Sequence, residues 1–108
     1  MTEFKQERSN ERCLTLLCSS VIEETVLDFL LMSNNVLLFT STSASVHGLK
    51  MEISNPSEQV LGRVAMTQIQ ALVEANYLQE LVISMQERFK GTGIRYWVTE
   101  VISGGEIQ

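Results

Sequence analysis

The spacing of the apolar residues switches repeatedly between a period of two and a period of about 3.6, and the order of those switches leaves few folds open. Over 12–19, Leu14, Leu16 and Cys18 fall on one face of an extended segment, and Cys13, Thr15 and Leu17 on the other. Both faces are largely apolar, so this strand is expected at the centre of a sheet, covered on both sides. Ser20 followed by Glu23 forms a capping box that opens a helix to about Met32. Ile22, Val26, Phe29 and Leu30 give that helix a single apolar stripe. Glu23 and Glu24 sit in its first turn, where the helix dipole favours negative charge. Ser33, Asn34 and Asn35 stop it.

A second strand is expected from Val36 to about Ser45, then a long loop from Val46 to Gln59 that carries the turn signals His47-Gly48 and Asn55-Pro56. Val60 to Val73 reads as a third strand. Asn76 with Gln79 repeats the capping pattern and opens a helix to about Lys90. Leu78, Leu81, Val82, Met85 and Phe89 form its stripe, and Lys90-Gly91-Thr92-Gly93 ends it. Ile94 to Val101 is rich in aromatic and β-branched residues and reads as the last strand.

The order is therefore β-α-β-β-α-β. With right-handed crossovers it closes as an α+β ferredoxin-like sandwich, a four-stranded antiparallel sheet with both helices on one face. At 108 residues the chain is expected to form one domain, 12–108, after a loose tail over 1–11. The stripes cover one side of the sheet. The other side carries Cys13, Leu17 and either Tyr96 or Trp97, and a half-apolar open face on so small a sheet calls for a partner, so a homo-oligomer is expected.

The net charge of −5 argues against a nucleic-acid-binding surface and against attachment to anionic membranes. No apolar run approaches the roughly 20 residues of a membrane helix, and the polar start offers no signal peptide, so a cytoplasmic protein is expected. Cys13 and Cys18 match no zinc-ligand spacing and point to opposite faces of one strand, as small apolar residues of a reduced protein. The acidic pairs, Glu23 with Glu24 and Glu7 with Glu11, lack the apolar pocket that makes a carboxyl an acid catalyst. No nucleophile motif surrounds the single histidine, and no enzyme activity is expected. The third strand, RVAMTQIQALV, has none of the aromatics that an RNA-recognition module of the same order stacks on bases. The C-x-x-C of heavy-metal-associated domains and the loop arginine of acylphosphatases are also missing.

Two groups of residues remain as ligand candidates. Lys90, Gly91, Thr92 and Gly93 form a short glycine turn that can offer backbone N–H groups to an anion. His47 and Gly48 begin the long loop, and Met51 with Glu52 follows closely, so His47 and Met51 are candidate metal ligands. Neither group names a cofactor.

Taken in order, several segments resemble the PII-like superfamily of small trimeric regulators. The first strand followed by EETVLDFL is similar to the first strand and helix of nitrogen regulatory PII proteins. His47-Gly48 falls where their long signalling loop begins. Arg63 to Val73 followed by ANYLQELVISM resembles their third strand and second helix, and Ile102 to Glu106 their C-terminal turn. More narrowly, EQVLGR, QERFKG and YWVTEV resemble an uncharacterised bacterial PII-like family whose genes often stand beside heavy-metal efflux systems. The resemblance implies a trimer that binds a small ligand or metal ion at a subunit boundary. It also implies signalling through the Val46–Gln59 loop to a partner protein such as a transporter. It implies as an alternative a CutA-like trimeric protein of metal tolerance or metal buffering. Two departures stand out. No tyrosine lies between Val46 and Arg63 to be uridylylated, and only Lys90 to Gly93 stands where PII proteins have a longer phosphate-gripping loop.

Overall fold

A computed structural model describes residues 10–48 and 63–108. Four strands and two helices follow one another as β1 (Glu11–Ser19), α1 (Glu23–Leu31), β2 (Val36–His47), β3 (Arg63–Glu74), α2 (Leu78–Arg88) and β4 (Arg95–Glu100). The strands form one sheet in the order β2-β3-β1-β4, and every neighbouring pair is antiparallel. This is the ferredoxin-like sandwich that the periodicity predicts.

The registers sort the residues by face. Leu14 lies opposite Ala71 and Val98, Leu16 opposite Ile69 and Tyr96, and Cys18 opposite Thr67. With Val73 these residues make the helix-covered side, and Leu14, Leu16, Cys18, Ile69, Ala71 and Val73 are all buried there. The helices meet them with the residues that their stripes foretell. Val26 and Leu30 of α1 are buried, as are Leu81 and Met85 of α2 and Phe89 just after it. Ile22, Phe29, Leu78 and Val82 fill in around them. Each fully buried side chain of this kind contributes about 1.5–3 kcal/mol relative to exposure. The rings of Phe29 and Phe89 meet edge to face at 5.6 Å and tie the helices to each other.

Both helices start later than their capping boxes predict. At α1, Ile22 stands at the N-cap and no side chain caps the helix. The turn is closed by Ser19 instead: its carbonyl accepts from the Ile22 N–H at 3.1 Å and its hydroxyl oxygen from the Val21 N–H at 3.2 Å. Before α2, a 3-10 turn occupies Ala75–Tyr77, so Asn76 lies inside that turn rather than at the cap. The Ala75 N–H donates to the Asn10 carbonyl at 2.7 Å, which ties this turn to the start of β1. Accordingly β1 begins at Glu11, which the sequence places in the tail.

β2 also runs further than expected. Val46 and His47 do not open a loop: they continue the ladder opposite Val64 and Arg63. One extra residue, Leu37, bulges where the register shifts between Val36 and Leu38. Because β1 pairs with β3 only as far as Met66, the β2–β3 ribbon overhangs the rest of the sheet at Ser45–His47. The remainder of the expected loop, 49–59, lies outside the described residues, as does the expected start of β3 over 60–62.

On the side of the sheet away from the helices stand Cys13 and Leu17, Leu72 with its partner Leu38, and Trp97 opposite Thr15. Of the two aromatic candidates, Trp97 belongs to this side and Tyr96 to the helix side. Leu38 is 53% and Trp97 44% exposed. Among the described residues no helix is long and apolar enough to cross a membrane.

Candidate ligand-binding site

The end of α2 builds a pocket. Helical bonding finishes as the Phe89 N–H donates to the Met85 carbonyl at 2.8 Å. The chain must then reverse to enter β4, and it does so through Gly91 at φ 79° and Gly93 at φ 77°. That left-handed backbone is open to glycine and strained for other residues. Thr92 braces the turn by donating twice to the Phe89 carbonyl, from its hydroxyl at 2.6 Å and from its N–H at 3.2 Å.

Beneath the turn lies a pocket of about 260 Å³. Leu14 and Leu16 of β1 and Tyr96 of β4 form its sheet side, Val82, Met85, Gln86 and Phe89 its helix side, and Lys90, Gly91, Gly93 and Ile94 its rim. It exists because α1 and α2 do not cover the helix-facing side of β4, where Val98 is 38% exposed. Lys90 makes no ion pair with any described residue. The polar groups available to a ligand are therefore a free ammonium, an amide, a phenol and the backbone of a tight turn.

Of the residues singled out in the sequence, the structure gathers Lys90, Gly91 and Gly93 at this pocket and makes Thr92 their support. His47 and Gly48 are elsewhere. They lie at the same end of the sheet but on the opposite edge, three strands across and about five residues further along. At about 4.8 Å per strand and about 3.3 Å per residue, that is on the order of 20 Å from β4 within one chain. His47 is exposed, and Met51 and Glu52 lie outside the described residues. Among the described residues no three His, Cys, Asp or Glu side chains cluster as a metal site. Sequence reasoning missed Val82, Gln86 and Tyr96 as site residues. Val82 was legible only as core, and Tyr96 only as one of two aromatics whose face the pattern left open.

A second hollow of about 300 Å³ lies between the end of α1 and the start of α2, with Asn34, Asn35, Tyr77, Glu80 and Ser84 in its wall. The Cys13 and Cys18 thiols are both free, and burial, with a smaller contribution from Glu23, pushes the Cys18 thiol up from its ordinary value.

A family model described as "protein of unknown function (DUF3240)" matches residues 8–108. The chain belongs to the DUF3240 family. No curated protein matches it. Among solved structures, a DUF3240 family protein from Shewanella baltica OS155 is 16% identical, with 93% of this chain and 99% of that one covered at a TM-score of 0.76. CPII, a nitrogen regulatory PII-like protein from Thiomonas intermedia K12, is 19% identical with coverages of 90% and 96% and a TM-score of 0.67; its structure holds ADP, AMP and bicarbonate. CutA from Synechococcus elongatus PCC7942 is 13% identical with coverages of 91% and 83% and a TM-score of 0.60. This DUF3240 chain therefore has the PII-like fold that its sequence motifs resemble, shared with CutA.

Proposed function

We propose that this DUF3240 protein is a PII-like sensor without enzyme activity. A small anionic ligand is held at the Lys90–Gly93 turn, and the β2–β3 hairpin with the loop beyond it relays the binding state to a partner protein such as a transporter. One observation carries this reading: a pocket rimmed by Lys90, Gly91 and Gly93 opens at the end of the sheet where the hairpin overhangs. Sister chains complete the machine in this reading. Three copies close the exposed backs of their sheets on one another, which brings the His47 edge of one chain toward the β4 edge of the next. The separation of about 20 Å within a chain is then spanned between chains rather than along one. Fold kinship with CPII, whose structure holds two adenine nucleotides and bicarbonate, supports an anion as ligand.

Isothermal titration of the purified full chain with ADP, AMP and bicarbonate tests the proposal. Saturable heat from at least one of them, reduced in Lys90→Gln, is the expected outcome. Silence from all, with the oligomer intact, contradicts it. Fold kinship with CutA and an exposed His47 at the hairpin support a second reading, a metal-buffering protein that uses His47 and Met51. That reading requires copper or zinc affinity that falls in His47→Ala.

A further inference from the structure

We infer that the pocket beneath the Lys90 turn takes a small organic monoanion with an apolar body, such as an aryl or short-chain carboxylate. The inference rests on the reading of that turn as a ligand site and adds what the ligand must look like. At about 260 Å³ the pocket is larger than the roughly 150 Å³ apolar cavity known to take benzene, which is room for a small aryl or acyl group. Its inner wall is hydrocarbon: Leu14, Leu16, Val82, Met85 and Phe89. Such a wall favours a ligand that brings an apolar group to it.

Charge decides the other end of the ligand. Lys90 is the cation at the rim and has no carboxylate partner among the described residues. The C-terminal end of a helix ordinarily repels anions through its free carbonyls. Here the Phe89 carbonyl is already taken twice, by the Thr92 hydroxyl and the Thr92 N–H, so the nearest repelling oxygen is partly neutralised. The Tyr96 phenol and Gln86 amide line the same pocket and offer hydrogen bonds without adding charge. An apolar body therefore faces the sheet and the helix, and an anionic head faces Lys90.

Benzoate and hexanoate are suitable probes, with benzyl alcohol and hexanol as neutral counterparts. Methyl and amide NMR spectra of the full chain are recorded during each titration. Benzoate or hexanoate is expected to shift the Val82 and Met85 methyls and the Gly91 and Gly93 amides together, saturably, and more tightly than the matching alcohol. In Lys90→Gln the carboxylate affinity should fall roughly two- to fivefold, as for loss of one exposed charge pair, while the alcohol is unaffected. Gln86→Trp, an exposed helix position at the pocket, should weaken acid and alcohol alike by narrowing the site without disturbing the core. The inference is overturned if the carboxylates leave these resonances unmoved, if alcohol and acid bind equally, or if Lys90→Gln leaves the preference intact. ADP, AMP and bicarbonate titrations read the sensor proposal separately. A protein that takes those anions and ignores benzoate and hexanoate sinks this inference alone.

Discussion

Replacing Gly91 with alanine isolates the backbone contribution of the Lys90–Gly93 turn. At φ 79°, a Cβ on residue 91 meets no atom within 4 Å, so steric collision contributes nothing and the backbone conformation carries the whole effect. Placing an L-residue in that left-handed region costs about 1–2 kcal/mol. Alanine also narrows the unfolded ensemble, which offsets about 0.4–1 kcal/mol. The net expectation is a loss of about 1 kcal/mol, which lowers the midpoint of thermal unfolding by roughly 4–8 °C in a domain of this size. Urea unfolding followed by circular dichroism measures it, at one fixed protomer concentration so that any association contributes equally to both proteins. A Gly91→Ala protein as stable as the parent would refute the positive φ. A loss above about 3 kcal/mol would reveal a contact that the structure lacks.

Thr92→Val removes the hydroxyl that donates to the Phe89 carbonyl at 2.6 Å, and should cost about 1 kcal/mol in urea unfolding while broadening the Gly91 and Gly93 amide signals. Leu30→Ala empties a site that is 1% exposed, and should cost about 2–5 kcal/mol by the same assay. Burial raises the Cys18 thiol above its ordinary value of 9.0, so the folded chain holds that proton longer than the unfolded one. Stability linked to Cys18 is thus intact below the ordinary value and is lost as pH climbs through the raised one; urea midpoints should fall across that alkaline range more steeply in the parent than in Cys18→Ala. Trp97→Lys puts a charge on the open back of the sheet, and light scattering should report smaller particles with helix content unchanged.

Strand order and helix faces were legible because burial here follows period. Val26, Leu30, Leu81 and Met85 point inward for the reason that their spacing announces. Helix starts were not legible. The Ser20–Glu23 pair was outcompeted by Ser19, the last residue of β1, whose carbonyl and hydroxyl accept from the Ile22 and Val21 N–H groups. Asn76 was absorbed by a turn that the Asn10 carbonyl anchors from a distant part of the chain. No local pattern encodes such a partner. The turn signal at His47-Gly48 hid the last two residues of β2, Val46 and His47, because an exposed two-stranded ribbon needs pairing rather than apolar alternation. At the site, the glycine turn was readable from its composition. The pocket was not, since it arises from the unshielded helix-facing side of β4 and not from any motif.

In the proposed sensor, copies of the same chain cover the open backs of the sheets, so that the Lys90 turn and the hairpin meet across a boundary. Native mass spectrometry of the full-length chain at micromolar concentration weighs that directly. It should record a dominant species about three times the 12.2 kDa protomer. A population that stays at the mass of one protomer, with its back face in water, would contradict it.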